Sequence, residues 1–116
     1  MHRSPLGGRN FESFSEDPLL TGKLAAAYIR GLQSKNVAAT VKHFVGNEQE
    51  TNRMTVDSRI NARALHEIYL RPFEIAVREA SPWAIMSSYN MINGVHADMN
   101  PHLLQDILRQ NWKYDG

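Results

Sequence analysis

Val37-Ala38-Ala39-Thr40-Val41, running on into Lys42-His43-Phe44-Val45-Gly46, is the stretch on which the reading of this chain turns. Its first half is short, mostly apolar and not strictly alternating, the pattern of a strand covered on both faces in a parallel sheet. Its second half puts an ammonium and an imidazole at the strand end. A lysine inside a doubly covered strand would carry a severe desolvation cost, so Lys42 is expected to face an open end of the sheet. There it and His43 can donate hydrogen bonds to neutral hydroxyls.

The same pattern returns downstream. Trp83-Ala84-Ile85-Met86-Ser87-Ser88-Tyr89 reads as a second short strand, closed by Tyr89 and Asn90. Between the two lies a polar loop from Asn47 to Ser58, then a helix capped by Asn61 with Leu65, Ile68, Tyr69, Phe73, Ala76 and Val77 on one face. Pro72 falls inside that helix and predicts a kink or a break. Upstream, Asp17-Pro18 opens a helix by cap-then-proline logic and runs to about Gln33. Leu20, Leu24, Ala27, Tyr28 and Gly31 give its expected inner stripe. Ser4 to Glu12 reads as irregular loop. Past the second strand, Asn90 to Met99 is loop with a turn at Asn93-Gly94. Asn100-Pro101 then opens a third helix, with Leu103, Leu104, Ile107 and Leu108 inside, and Trp112 to Gly116 turns towards another strand.

Helix, strand, helix, strand, helix implies right-handed crossovers and a parallel sheet, hence the α/β class. Two strands alone make a poor sheet, and a closed barrel takes about 250 residues. At 116 residues the chain reads as a partial (β/α)8 TIM barrel of roughly two parallel strands and three helices. The working residues of such a barrel sit at the C-terminal ends of its strands.

Bulk properties narrow the partners. Thirteen basic and 12 acidic residues leave a net charge of +1 with no block of like charge, so nothing points to nucleic acid or an anionic membrane. There is no cysteine, which removes disulfides and thiolate metal sites from this segment. No apolar run approaches the roughly 20 residues that span a bilayer, and the opening residues lack the apolar region of a signal peptide. Localisation and oligomeric state stay open, a secreted whole protein included.

Each candidate residue also has a plain structural reading. Lys42 and His43 fit a surface pair, Arg9 a salt bridge to Glu12 or Glu16, and Met86 and Tyr89 ordinary core. His43, His66, His96 and His102 have no metal-ligand spacing, and Asp98, Glu48 and Glu50 are not spaced as an acid/base pair. Periodicity and position give an α/β enzyme segment without a substrate class.

Four motifs in order sharpen this. Ser4-Pro-Leu-Gly-Gly-Arg-Asn-Phe-Glu-Ser-Phe-Ser-Glu-Asp-Pro18 resembles the segment that glycoside hydrolase family 3 carries before one of its barrel helices. Val41-Lys-His-Phe-Val-Gly-Asn-Glu-Gln-Glu50 resembles the family's Lys-His motif, Arg63 to Phe73 its following helix, and Ile85-Met-Ser-Ser-Tyr-Asn-Met-Ile-Asn-Gly94 its Ser-Tyr-Asn segment. The ordered set spans essentially the whole chain. Val45-Gly46-Asn47-Glu48 after the Lys-His-Phe is unlike the N-acetylglucosaminide branch and resembles fungal β-glucosidases.

The resemblance implies that residues 1–116 are an incomplete segment of the N-terminal catalytic barrel domain of a retaining β-glucosidase. It implies that Arg9, Lys42 and His43 hydrogen-bond the hydroxyls of a terminal glucosyl unit. By the same likeness Tyr89 lies close to the nucleophile and Met86 belongs to the pocket wall. Asn10 and Glu12 inherit no ligand role and are expected to order their loop. Neither catalytic carboxylate is expected here: the nucleophile should follow in a Ser-Asp-Trp motif beyond Gly116, the acid/base in a later domain. The implied substrate is a β-glucoside or cello-oligosaccharide, with no metal or organic cofactor, and the segment alone is expected to be inactive. A β-xylosidase of the same family and a non-catalytic, truncated sugar-binding fragment are the alternatives.

Overall fold

A computed structural model describes residues 1–116. Helix α1 (Pro18–Gln33) begins as the sequence demands: the Asp17 carboxylate accepts from the backbone N–H groups of Leu19 (2.7 Å) and Leu20 (3.0 Å). Such a cap is worth about 1 kcal/mol. The buried stripe is not the expected one. Thr21, Gly22, Ala25, Ala26 and Ile29 face inward, whereas Leu20, Leu24 and Tyr28 are exposed. The helix carries two apolar stripes, and the one made of small residues lets α3 (Arg71–Ala80) approach closely.

Gly22 sits at that closest approach, since a Cβ there would come within 2.8 Å of the Ile75 side chain. Gly22→Val is therefore expected to destabilise the full-length protein by about 1–3 kcal/mol through overpacking. A thermal melt beside the wild type checks it.

Strand β1 (Thr40–Phe44) and strand β3 (Ala84–Ser87) pair in parallel, as the two apolar runs required. β1 starts three residues later than the apolar run, because Val37 to Ala39 only lead into it. Lys42 and His43 consequently lie within the strand instead of after it. They occupy a register irregularity between the Val41–Ile85 and Phe44–Ser87 pairs. The Lys42–His43 and Phe44–Val45 peptide bonds are cis.

The crossover between these strands is one helical run. The Asn61 side chain accepts from Ala64 N–H at 2.8 Å to open α2 (Ala62–Ala64), Leu65–Leu70 is π-helical, and α3 follows. Pro72 does not break it. The wider π turn falls just where the proline ring would otherwise meet the preceding carbonyl, and backbone angles stay helical through Leu70 and Arg71. Ser81, with φ of 44°, and buried Pro82 stop the run.

Two strands pack on one side against these helices and the C-terminal π-helix (His102–Asn111), whose Leu103, Ile107 and Leu108 point inward as expected. Asn100 caps that helix, accepting from Leu103 N–H at 3.2 Å. Phe44 is the centre of the core. It is wholly buried and meets Phe73 and Trp112 edge-on, with ring centroids 5.1 and 6.0 Å away. No helix is long and apolar enough to cross a membrane.

A second sheet forms where only loops were expected. β2 (Asp57–Ser58) runs parallel to β4 (Met91–Ile92), which pairs antiparallel with β5 (Val95–His96). Asn93 and Gly94 link the last two with φ of 52° and 91°, which suits a tight hairpin. Alternation over two residues is too short a signal to read as a strand. What fixes this sheet is long-range: fully buried Asn90 donates from its amide to the carbonyls of Val45 (3.3 Å) and Gly46 (3.2 Å), tying it to the end of β1.

Candidate sugar-binding cleft

The Ser4–Glu12 loop ends in a short 3-10 turn (Asn10–Glu12), in which positions three apart share one side. Arg9 and Glu12 are so related, and the Arg9 Nε–H donates to Glu12 Oε1. The other carboxylate oxygen, Oε2, lies 2.9 Å from Lys42 Nζ on β1. Of the two salt-bridge partners open to Arg9 from sequence, the structure selects Glu12. The Asn10 amide donates to Ser4 O at 2.8 Å and closes the loop behind this pair.

Electrostatics follow from the contacts. Hydrogen bonds from Arg9 first, then Lys42, hold the Glu12 carboxyl down at about 2, so it is ionised at any working pH. The same partnership raises Arg9. His43 is half-buried, and burial first, then the adjacent Lys42 charge, lowers its pKa below the ordinary histidine value. The neutral imidazole, with one donor and one acceptor nitrogen, is favoured there.

Arg9, His43 and Tyr89 converge on one cleft of about 200 Å³, together with Asn47, Glu50 and Arg53. Lys42 lines a smaller cavity of about 70 Å³ next to it, which shares Arg9, Asn47 and Glu50. Met86 does not line the cleft; its side chain lies exposed on β3. Tyr89 is held from behind, its carbonyl 3.0 Å from His96 Nδ1.

Arg53 and Glu50 were not singled out from the sequence. Arg53 donates to Glu50, and its guanidinium stands 5.7 Å from the Tyr89 ring centroid. Only the fold of the Asn47–Ser58 loop brings them to Tyr89. Arg53 three residues after Glu50 was the sole local hint.

Chemically the cleft is rich in donors, with charges largely compensated by Glu12 and Glu50. That suits a neutral polyhydroxyl ligand. Its volume is below the roughly 300–1,000 Å³ of a pocket that buries a small molecule by itself. No group of three or more His, Cys, Asp or Glu is placed to hold a metal ion.

Comparison with known proteins gives a consistent result. The model of the glycosyl hydrolase family 3 N-terminal domain matches residues 1–116. Beta-glucosidase B of Emericella nidulans is 63% identical over 116 residues, all of this chain and 14% of that protein. A Rhizobium radiobacter beta-glucosidase is 56% identical over the same span, again 14% of its length. Beta-glucosidase 3B from Thermotoga neapolitana, solved in complex with glucose, superposes with a TM-score of 0.98 at 53% identity, covering 100% of this chain and 16% of that one. The chain therefore spans about one-seventh of the length of these relatives. The two parallel strands with their helices are a segment of a TIM-barrel-type domain.

Proposed function

Because the chain belongs to glycosyl hydrolase family 3, we propose that the whole protein removes terminal non-reducing β-D-glucosyl residues from β-glucosides or cello-oligosaccharides, with retention of configuration. Residues 1–116 are then an incomplete segment of its catalytic barrel domain, supplying sugar recognition and not the bond-breaking groups. The observation that carries this reading is the convergence of Arg9, His43, Arg53 and Tyr89 on one donor-rich cleft, with Lys42 beside it.

In this reading Arg9, Lys42 and neutral His43 donate hydrogen bonds to the hydroxyls of the terminal glucosyl unit. Arg53, paired to Glu50, joins them. Tyr89 stands next to the nucleophile, and Met86 contributes wall once the rest of the barrel is present. Retention requires two carboxyl groups about 5–5.5 Å apart, one attacking the anomeric carbon and one protonating the leaving oxygen. Neither is assigned within residues 1–116; both belong to other parts of the whole protein. The donors hold the sugar so that its anomeric carbon meets the nucleophile in line, which converts binding energy into orientation.

One relative favours a second reading. A Bifidobacterium longum protein named exo-alpha-(1->6)-L-arabinopyranosidase is 55% identical over 114 residues. That likeness makes a pentopyranoside the second substrate class to test. Assay of the full-length protein with aryl β-D-glucoside, β-D-xyloside and α-L-arabinopyranoside tests both. Highest kcat/KM on the glucoside supports the first reading, and highest kcat/KM on a pentoside replaces it with the second. Cleavage of none overturns the proposal.

A further inference from the structure

We propose that Glu12 is a positioning residue for sugar recognition, one carboxylate holding both Arg9 and Lys42 so that their remaining donors point at the same ligand. This rests on the sugar-binding reading above and adds a residue to which that reading gives no part.

Both oxygens of Glu12 are occupied. Oε1 accepts from Arg9 Nε, and Oε2 pairs with Lys42 Nζ at 2.9 Å. Glu12 is thus engaged at both oxygens before any ligand arrives. Arg9 uses only Nε in this contact, so its two terminal amino groups carry no protein partner. Lys42 has Glu12 as its one ion-pair partner, leaving its other ammonium hydrogens free. The two cations come from separate elements, the N-terminal loop and β1, and no backbone geometry sets their spacing. Glu12 sets it.

Electrostatics point the same way. Two cations side by side repel, and long lysine and arginine side chains lose rotamer freedom when fixed. An interposed carboxylate removes the repulsion and supplies the order before the sugar arrives. That is preorganisation, which improves binding without a new contact to the ligand.

Glu12→Gln keeps size and one acceptor but loses the charge. Glu12→Asp keeps the charge on a shorter arm. Both are made in the full-length protein and assayed with an aryl β-D-glucoside and its monodeoxy analogues, beside a thermal melt. For Glu12→Gln, kcat/KM on the glucoside is expected to fall about tenfold or more, as loss of charge-assisted anchoring implies. The deoxy analogue that costs the wild type most should cost this variant distinctly less, because the hydroxyl's partners are no longer held. Glu12→Asp should recover part of both, and melting should stay close to wild type. A residue that merely ordered its loop would lower all substrates by one factor together with the melting temperature. That outcome, or kcat/KM within about twofold of wild type, overturns the inference. A wild type that cleaves no glycoside overturns the proposed function and this inference together. An active wild type with an indifferent Glu12 overturns the inference alone.

Discussion

Lys42→Met in the full-length protein is expected to lower kcat/KM for an aryl β-D-glucoside about a hundredfold, with the folded state close to wild-type stability. Lys42 is an exposed position of β1, so replacing it with an unbranched apolar chain of similar length opens no buried cavity. What disappears is the Lys42–Glu12 ion pair and, on the proposed reading, a charged donor to the sugar. A hydrogen bond to a charged group is worth about 1.5–3 kcal/mol. A Glu12 carboxylate that keeps only its Arg9 contact adds to that, which together corresponds to roughly two decades in rate. Steady-state kinetics with a parallel melt decide it. Normal kcat/KM would show that Lys42 is only a surface ion pair, the alternative its sequence context left open.

Phe44→Ala should produce the largest loss of stability from a single substitution in this segment, about 3–5 kcal/mol. Phe44 is wholly buried, and its edge-on contacts join the crossover helix, through Phe73, to the C-terminal turn, through Trp112. Removing the ring opens a cavity lined by three separate elements that cannot all collapse into it. Because Phe44 follows His43 directly, the cleft should loosen as well. Denaturant unfolding checks the first effect. The second appears as a kcat/KM loss that Phe44→Leu, which refills most of the volume, largely restores.

Much of the fold was legible because it was written in local chemistry. Asp17-Pro18, Asn61 and Asn100 each cap a helix through contacts within three residues, and those contacts need no tertiary partner. The two apolar runs separated by a helix required a parallel pair, and β1 and β3 form it. Less legible was which side of α1 turns inward. Its large apolar residues promised a core face, yet the small-residue stripe won because α3 packs there at the distance Gly22 allows. Pro72 was expected to kink or break its helix, whereas the run stays helical through it, with a π-helical stretch from Leu65 to Leu70 ahead of the proline.

The site divides in the same way. By itself the sequence determined the residue types at the strand ends, the cap-defined order of elements and the motif set that marks the family, since each depends on neighbours close along the chain. The tertiary structure alone decided that Glu12 joins Arg9 to Lys42, that Arg53 and Glu50 reach Tyr89, and that Asn90 fastens a small second sheet to the end of β1. Those contacts span loops with no periodic pattern, so only chain closure in three dimensions brings their charges and amides within hydrogen-bonding reach.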